Sequence, residues 1–259
     1  MIYEIRGLSF AYSTSKEAVL RDLNLDVDAG EIVSILGHNG SGKSTLLSCM
    51  LGLLVPQSGT ILLDGRDISQ LSEREIASTV GFVPQIHIPT FGFSVLDFVV
   101  MGCAQSIGLF SKPGKEEREN ARAALYQMGI GDLAEKRYTE ISGGERQKTM
   151  IARAIVSKPE VLLFDEPTAH LDFGGQLLVL RTIRDLAREG YSVVITTHNP
   201  DHALLLGGKA ALMNGDGGLI SGDVAAVITR ENLSRIYKSE VRLEYIESLG
   251  RTVCLYADL

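Results

Sequence analysis

The stretch "EIVSILGHNGSGKSTLL", residues 31–47, decides how the rest of the chain is interpreted. Its first six residues have the pattern of a buried strand, and the apolar run beginning at Ser44 predicts a helix that ends before Pro56. Between them, "GHNGSGKST" matches G-x-x-x-x-G-K-[ST] in the strand-to-helix context that this pattern requires. The sequence therefore predicts a phosphate-binding loop, or P-loop, at residues 37–45.

A loop of this kind binds phosphate mainly through its backbone. Glycines let successive N–H groups turn toward an anion, and the helix that follows adds its positive N-terminal end. The pattern assigns Lys43 to the β- and γ-phosphates and assigns Ser44, through its hydroxyl, to Mg²⁺. The alternative is a glycine-rich turn with a lysine placed by chance, and the strand-to-helix context argues against it. The predicted nucleotide-contacting residues are Gly37, His38, Asn39, Gly40, Ser41, Gly42, Lys43, Ser44 and Thr45.

Two adjacent acids follow a second apolar run, "VLLF", residues 161–164. Asp165 comes at the end of this predicted strand, where its carboxylate is suited to a magnesium ion held by Ser44. Glu166 follows directly, and a carboxylate there could polarise a water for attack on the γ-phosphate. A solvated strand end is the alternative. We expect Asp165 to bind metal and Glu166 to act as the catalytic base.

A second glycine-rich segment, "SGGE", residues 142–145, precedes another predicted helix. It fits S-x-x-E, the capping box in which a serine and a glutamate satisfy each other's backbone N–H groups. It also fits a second phosphate site, because two glycines remove side chains where an anion could approach free N–H groups. Neither glycine helps a helix to start, and this favours the phosphate site.

Composition limits the classes of protein that the chain could belong to. With 259 residues, 45% hydrophobic and 22% charged, it is expected to fold as one globular domain with subdomains. A net charge of -7 without a basic block disfavours nucleic acid as a partner. The three cysteines share no ligand-like spacing, so a reducing compartment and apolar packing roles are expected. No signal peptide is expected from the N-terminal pattern, and the uncharged stretch at residues 98–111 is too short and too polar to cross a bilayer.

Further segments predict an α/β fold with a P-loop NTPase core and a mainly parallel sheet. "YSVVITT", residues 191–197, is another buried strand, and residues 175–190 form a helical pattern that stops at Gly190. The alternating segments "LNLDVDAGE" and "SGTILLDGRDI" predict a smaller antiparallel layer near the N-terminus. Residues 86–140 lack strong strand runs and predict a helical insertion.

Five motifs follow one another in a characteristic order: the P-loop, Gln85 in "GFVPQ", "ISGGE" at 141–145, "VLLFDEPTAHLD" at 161–172, and His198 in "TTHNP". In this order the chain resembles the ATP-binding-cassette (ABC) ATPases over essentially its whole length. The resemblance implies that two copies pair head to tail. Each ATP then lies between the P-loop of one copy and the signature segment, residues 141–145, of the other.

The resemblance also implies roles for single residues. Tyr12 in "SFAYS" matches the aromatic residue that stacks on adenine, with an exposed strand tyrosine as the alternative. Gln85 matches the glutamine that touches the metal or the attacking water, and Asp172 matches a loop that reports across the dimer interface. His198 matches the histidine that contacts the γ-phosphate. Ser142, Gly143, Gly144 and Glu145 would contact the partner's ATP, although Glu145 replaces the usual glutamine and Ile141 the usual leucine.

The expected organisation is a single ABC ATPase domain, residues 1–259. Its antiparallel layer and P-loop core would span 1–85, its helical subdomain 86–150, the rest of the core 151–215, and a C-terminal extension 216–259.

The stretches at 93–117 and 124–147 look like cassettes of importers for iron chelates, haem and cobalamin, and of their molybdate-carrying relatives. This resemblance implies an ATPase at the cytoplasmic face of the cell membrane, peripheral to two permease subunits and served by an extracytoplasmic substrate-binding protein. The permease would insert a coupling helix near Gln85 to Phe98.

Two alternatives stay open. A molybdate or tungstate importer would keep the same ATPase, and a cassette of iron–sulfur assembly would need no membrane partner. A small-molecule P-loop kinase would leave "ISGGE" and His198 unexplained. Chromosome or translation-factor cassettes would need a coiled-coil insertion or a second P-loop, and the sequence shows neither.

Overall fold

The computed structural model describes residues 1–13, 17–85, 92–107 and 111–256. The chain forms two compact units. The first consists of residues 1–70 and 192–259, and the second of residues 71–191. The sequence-based boundaries at residues 85, 150 and 215 stay a prediction.

Strands and helices are numbered in chain order over the described residues. The strands are β1 Tyr3–Phe10, β2 Leu20–Val27, β3 Ile32–Leu36, β4 Ser58–Leu63, β5 Arg66–Asp67, β6 Val80–Val83, β7 Val161–Phe164, β8 Ser192–Thr197, β9 Lys209–Met213, β10 Leu219–Asp223, β11 Val241–Ile246 and β12 Arg251–Tyr256. The helices are α1 Lys43–Met50, α2 Glu73–Thr79, α3 Val95–Val100, α4 Lys115–Gln127, α5 Gly143–Ile155, α6 Phe173–Arg188, α7 Pro200–Leu206, α8 Val224–Val227 and α9 Arg230–Tyr237.

The first unit contains the predicted antiparallel layer, with strands in the order β2-β1-β4-β5. Alternate residues of β1 and β2 are buried, which is the pattern of a sheet with one face on a core. The hydroxyl of the buried Tyr3 donates to the carbonyl of Met50 at 2.6 Å, where α1 ends. The antiparallel layer thereby supports the helix that follows the P-loop.

The parallel strands of the first unit set the position of the P-loop. β3 lies between β8 and β9, parallel to both, and all of its residues are buried. Leu36 is paired with Thr197, so the P-loop and His198 begin side by side at the carboxyl ends of neighbouring strands. α1 is shorter than the predicted helix, because Gly52 takes a left-handed conformation, φ 68°, directly after the helix end at Leu51.

The C-terminal extension belongs to the core of the first unit. β10 pairs antiparallel with β9, and β11 pairs with β12 in a hairpin of its own. Side chains of α8, α9 and β11 share one apolar cluster with Leu36 of β3 and Ala203 of α7. The prediction that this segment extends the fold agrees with that packing.

The second unit holds the parallel pair β6 and β7, with Val83 opposite Phe164. Its described residues from 92 to 160 form helices α3, α4 and α5 and contain no named strand, which confirms the helical character of this region. The rings of Phe98 and Tyr138 stack with centroids 4.2 Å apart and join α3 to the segment before α5. Cys49 and Cys103 are buried as predicted, and Cys254 is half-buried.

Candidate functional site

The P-loop takes a backbone conformation that requires glycine. Gly40 and Gly42 have φ values of 83° and 99°, in the left-handed region that favours glycine. A Cβ on Gly42 would also lie 3.0 Å from side-chain atoms of both Val19 and Leu20. Backbone and packing therefore both demand glycine where α1 begins.

Lys43 lies at the first position of α1 and is only 5% exposed. Its ammonium donates to the carbonyls of Gly37 and His38, at 2.9 and 3.2 Å, so the lysine folds back over its own loop. The hydroxyl of Ser41 is buried without a hydrogen-bond partner among the described residues. A buried cation, an orphaned hydroxyl and a helix start without a side-chain cap fit a phosphate group.

The next residues of α1 offer the other predicted contacts. Ser44 is exposed, so its hydroxyl can reach a ligand. The hydroxyls of Tyr12 and Thr45 lie 3.1 Å apart, which places the predicted adenine-stacking residue beside the P-loop. The ring of Tyr12 packs edge-on against Phe10, with centroids 4.9 Å apart, and the side chain remains 43% exposed.

His198 is exposed directly after β8. Its carbonyl accepts a hydrogen bond of 2.8 Å from the hydroxyl of Tyr237, at the end of α9. Asn199 then caps α7 by accepting from the N–H of Asp201 at 2.9 Å. The turn after His198 is thus held by hydrogen bonds at the His198 carbonyl and at the start of α7.

The two acids follow β7 in the second unit, each 9% exposed. The N–H of Asp165 donates to the carbonyl of Val83 at 2.9 Å, which continues the β6–β7 ladder by one residue. Glu166 has a φ of 42°, an uncommon value for a residue with a side chain. Strained backbone of this kind costs about 1–3 kcal/mol and is concentrated at functional sites.

The signature segment forms the capping box that the sequence allowed. The N–H of Ser142 donates to the carboxylate of Glu145 at 2.7 Å, and the N–H of Glu145 donates to the hydroxyl of Ser142 at 3.4 Å. The bond from the N–H of Ser142, followed by a side-chain hydrogen bond with Ser142, lowers the pKa of the Glu145 carboxyl. The carboxylate is therefore turned back onto residue 142.

The two glycines of the signature segment have no local reason to be glycine. Neither has a positive φ, and no described atom lies within 4 Å of a Cβ built on Gly143 or Gly144. Gly143 and Gly144 are the first two residues of α5, where N–H groups have no partner within the helix. The space that a side chain would occupy at either glycine is open among the described residues.

Asp172 and Gln85 lie elsewhere in the second unit. Asp172 caps α6, because its carboxylate accepts from the N–H of Gly175 at 2.7 Å. Gln85 is exposed two residues after β6. Residues 86–91 of the expected coupling-helix groove lie outside the described residues.

A groove of about 440 Å³ opens in the second unit at Pro84, which lies beside Gln85 in the sequence. Its lining includes Arg74, Ala77, Pro84, Met101, Gln105 and Arg153. The guanidinium of Arg153 lies 5.0 Å from the ring centroid of Phe98, and burial lowers its pKa. The guanidinium remains charged, because the ordinary pKa of arginine is far above neutrality.

Sequence reasoning did not single out Tyr237 or Arg153. Tyr237 reaches His198 across 39 positions of sequence, and Arg153 faces the groove from the last turn of α5. Neither residue belongs to a short motif, so no local signal marks it. Within the described residues, no helix has the length and apolar character that a bilayer crossing requires.

The strand, glycine loop and buried lysine, together with an acid after a parallel strand, define the class of P-loop nucleotide-binding proteins. A family model described as "ABC transporter" matches residues 20–169. The chain belongs to the ABC transporter family, as one of its ATP-binding, ATP-hydrolysing subunits.

Three similar proteins illustrate the range of the family. The molybdate import ATP-binding protein MolC of Haemophilus influenzae is 36% identical over 248 residues, covering 94% of this chain and 92% of MolC. An inward-facing ABC transporter classed as metal-chelate type is 34% identical, with a TM-score of 0.86, and covers 99% of this chain and 98% of that one. A dimeric bacterial ABC transporter cassette is 28% identical, with a TM-score of 0.72, and covers 86% and 98% of the two chains.

Proposed function

We propose that the chain is the ATP-hydrolysing subunit of a membrane importer for an iron chelate, haem or cobalamin. It works as a head-to-tail homodimer, peripheral to the cytoplasmic face of the cell membrane. Two permease subunits carry the substrate, which an extracytoplasmic binding protein delivers. The similarity to a metal-chelate type transporter supports this cargo class, and the similarity to MolC supports a molybdate-type oxyanion as the second candidate.

The open space over Gly143 and Gly144 carries the proposal. Glycine at these positions weakens α5, because each costs about 1 kcal/mol against alanine in a helix. Nothing described in the same chain uses the space gained. A phosphate group held by a second copy would use it, and the dimeric cassette supports such pairing.

Residues of the first unit would hold the nucleotide. Tyr12 would stack on adenine beside the P-loop, and the backbone of residues 37–45 would surround the phosphates. Lys43 would exchange its two loop carbonyls for β- and γ-phosphate oxygens, which are charged and therefore stronger acceptors. His198 would contact the γ-phosphate from the neighbouring strand end.

Residues of the second unit would supply the reaction chemistry. Glu166 would accept a proton from the attacking water or position that water, and Gln85 would contact the water or the metal. The exposed Ser44 hydroxyl and the Asp165 carboxylate are hard oxygen ligands of the type that Mg²⁺ prefers. Bound magnesium would neutralise negative charge on the phosphates.

The partner copy would complete each site. Gly143 and Gly144 would present backbone N–H groups to the partner's nucleotide, with Ser142 beside them, while Glu145 remains turned into the capping box. Asp172 would report the state of the interface. ATP would close the dimer, closure would drive the permease gate, and hydrolysis with phosphate release would reopen it.

The groove beside Gln85 would receive the permease. Its mixed apolar and polar lining, with one desolvated guanidinium at Arg153, suits a short amphipathic helix with a carboxylate or a free C-terminal carbonyl end. This location links the membrane subunit directly to the glutamine that follows β6.

Purification of the tagged chain in detergent from its native cells tests the importer assignment. Membrane subunits in the eluate are the expected result, whereas soluble scaffold proteins would favour iron–sulfur assembly instead. Ala77→Arg, which fills the groove from the exposed side of α2, should remove the membrane subunits. Ser78→Arg is the matched control: it is the next exposed residue of the same helix, is outside the groove lining, and should keep them.

A further inference from the structure

The C-terminal extension is bonded to the turn that carries His198. The hydroxyl of Tyr237 donates to the carbonyl of His198 at 2.8 Å. Three residues later, the carboxylate of Asp201 accepts from the N–H of Cys254 at 3.0 Å, and it lies 3.7 Å from the guanidinium of Arg251. One attachment comes from α9 and the other from β12, so the extension holds the carbonyl of His198 and the first turn of α7 that follows it.

Packing gives the extension a defined position relative to the P-loop strand. The apolar cluster that includes Leu233 and Ile236 of α9 also includes Leu36, the last residue before the P-loop, and Ala203 of α7. The ring of Tyr237 packs against this cluster. Tyr237 is partly buried, and this ring contact holds its hydroxyl near the end of β8.

We propose that Tyr237 is a positioning residue for His198. Its hydroxyl fixes the plane of the peptide bond between His198 and Asn199, and that plane sets the direction in which the imidazole leaves the backbone. The C-terminal extension then tunes hydrolysis while it remains outside the nucleotide site. This inference rests on the γ-phosphate role proposed for His198.

Tyr237→Phe in the full-length chain tests the proposal, because it removes the hydroxyl and keeps the ring in its apolar contacts. We expect kcat for ATP to fall about three- to tenfold, the effect of one neutral hydrogen bond, while KM for ATP changes less than about twofold. Tyr245→Phe on β11 is the matched control, because this tyrosine is 64% exposed and its loss should leave kcat unchanged. Thermal unfolding of both variants shows that they fold.

A double-mutant cycle separates positioning from general destabilisation. If Tyr237 acts through His198, adding Tyr237→Phe to His198→Ala should cause no further loss of kcat. An additive loss, or equal kcat in the Tyr237→Phe and Tyr245→Phe variants, would overturn the positioning role and leave the proposed function intact. Wild-type kcat in His198→Ala would overturn the γ-phosphate role and the positioning role together.

Discussion

Two helices of the chain begin at glycine-rich segments: α1 follows Gly42 and α5 follows Ser142. The two segments differ in the backbone conformation and the contacts that hold them in place. At α1, left-handed backbone and close side chains require glycine, and no side-chain cap is present among the described residues. At α5, a serine and a glutamate cap the helix and the glycines face open space.

The difference shows which glycines the chain needs for its own fold. Alanine at Gly42 would strain the first unit directly, whereas alanine at Gly144 would meet no described atom. A residue that weakens a helix without serving the local structure indicates a requirement from outside the chain. This reasoning supports our proposal that the second helix start receives the phosphate of another molecule.

The largest expected effect is that of Glu166→Gln, and this variant also tests the proposal that two copies share each nucleotide. Glu166→Gln should reduce ATP turnover about a hundredfold or more, because a general base contributes about 10²–10⁴-fold. It should still bind ATP and form a dimer, measured by equilibrium binding and sedimentation with magnesium and ATP. Near-normal turnover would refute the base assignment. A variant that stayed monomeric at high concentration would refute the shared site.

Lys43→Ala is the matched comparison for that experiment. Because hydrogen bonds to charged groups are worth about 1.5–3 kcal/mol, ATP affinity should fall about tenfold to a hundredfold. The Lys43→Ala variant would then bind ATP weakly, whereas the Glu166→Gln variant would still bind ATP and would lose only its hydrolysis.

Alanine substitutions at Gly42 and Gly144 test the difference between the two helix starts directly. Gly42→Ala should lower Tm, since φ is 99° and its Cβ would meet Val19 and Leu20. Gly144→Ala should leave Tm unchanged or raise it, by at most about 1 kcal/mol of stability, because alanine favours helices. Its turnover should nevertheless fall about tenfold, since a methyl group would occupy a phosphate contact. A lower Tm with normal turnover in Gly144→Ala would show that this glycine is structural.

The smallest expected effect concerns the capping box. Glu145→Gln should leave ATP turnover within a few-fold, because the carboxylate is already hydrogen-bonded to the N–H of Ser142. A drop of a hundredfold would contradict that explanation and give Glu145 a direct role in the site.

The same variant carries a pH signature. Hydrogen bonds from Ser142 lower the pKa of Glu145 below 4.5 in the folded chain, so its stabilising contribution is present above that value and is lost as pH falls through the folded pKa. The Tm difference between wild type and Glu145→Gln should therefore shrink when unfolding is measured at progressively lower pH below 4.5. A constant difference would indicate that the cap does not depend on charge.

Most of the fold could be predicted from residues 31–47 and from the apolar runs at 161–164 and 192–197. The hydrophobic periodicity of a strand or helix can be recognised within a short segment of sequence. The sequence also suggested the capping box at Ser142. It could not reveal the left-handed backbone of Glu166 or the bond from Tyr237 to His198, because no local pattern marks either of them. The groove beside Gln85 is built from segments far apart in the chain, and no linear pattern describes it.

Leu36 ends β3 and is also part of the apolar cluster formed by the C-terminal helices. Local unfolding of those helices would therefore disturb the packing of Leu36 and expose the amides of residues 37–42 that follow it, even without nucleotide. The rate of hydrogen exchange at these amides would report how stably the C-terminal extension is packed. If Tyr237 positions His198 as we propose, substitutions in the C-terminal extension would change the rate of ATP hydrolysis while every motif residue stays the same.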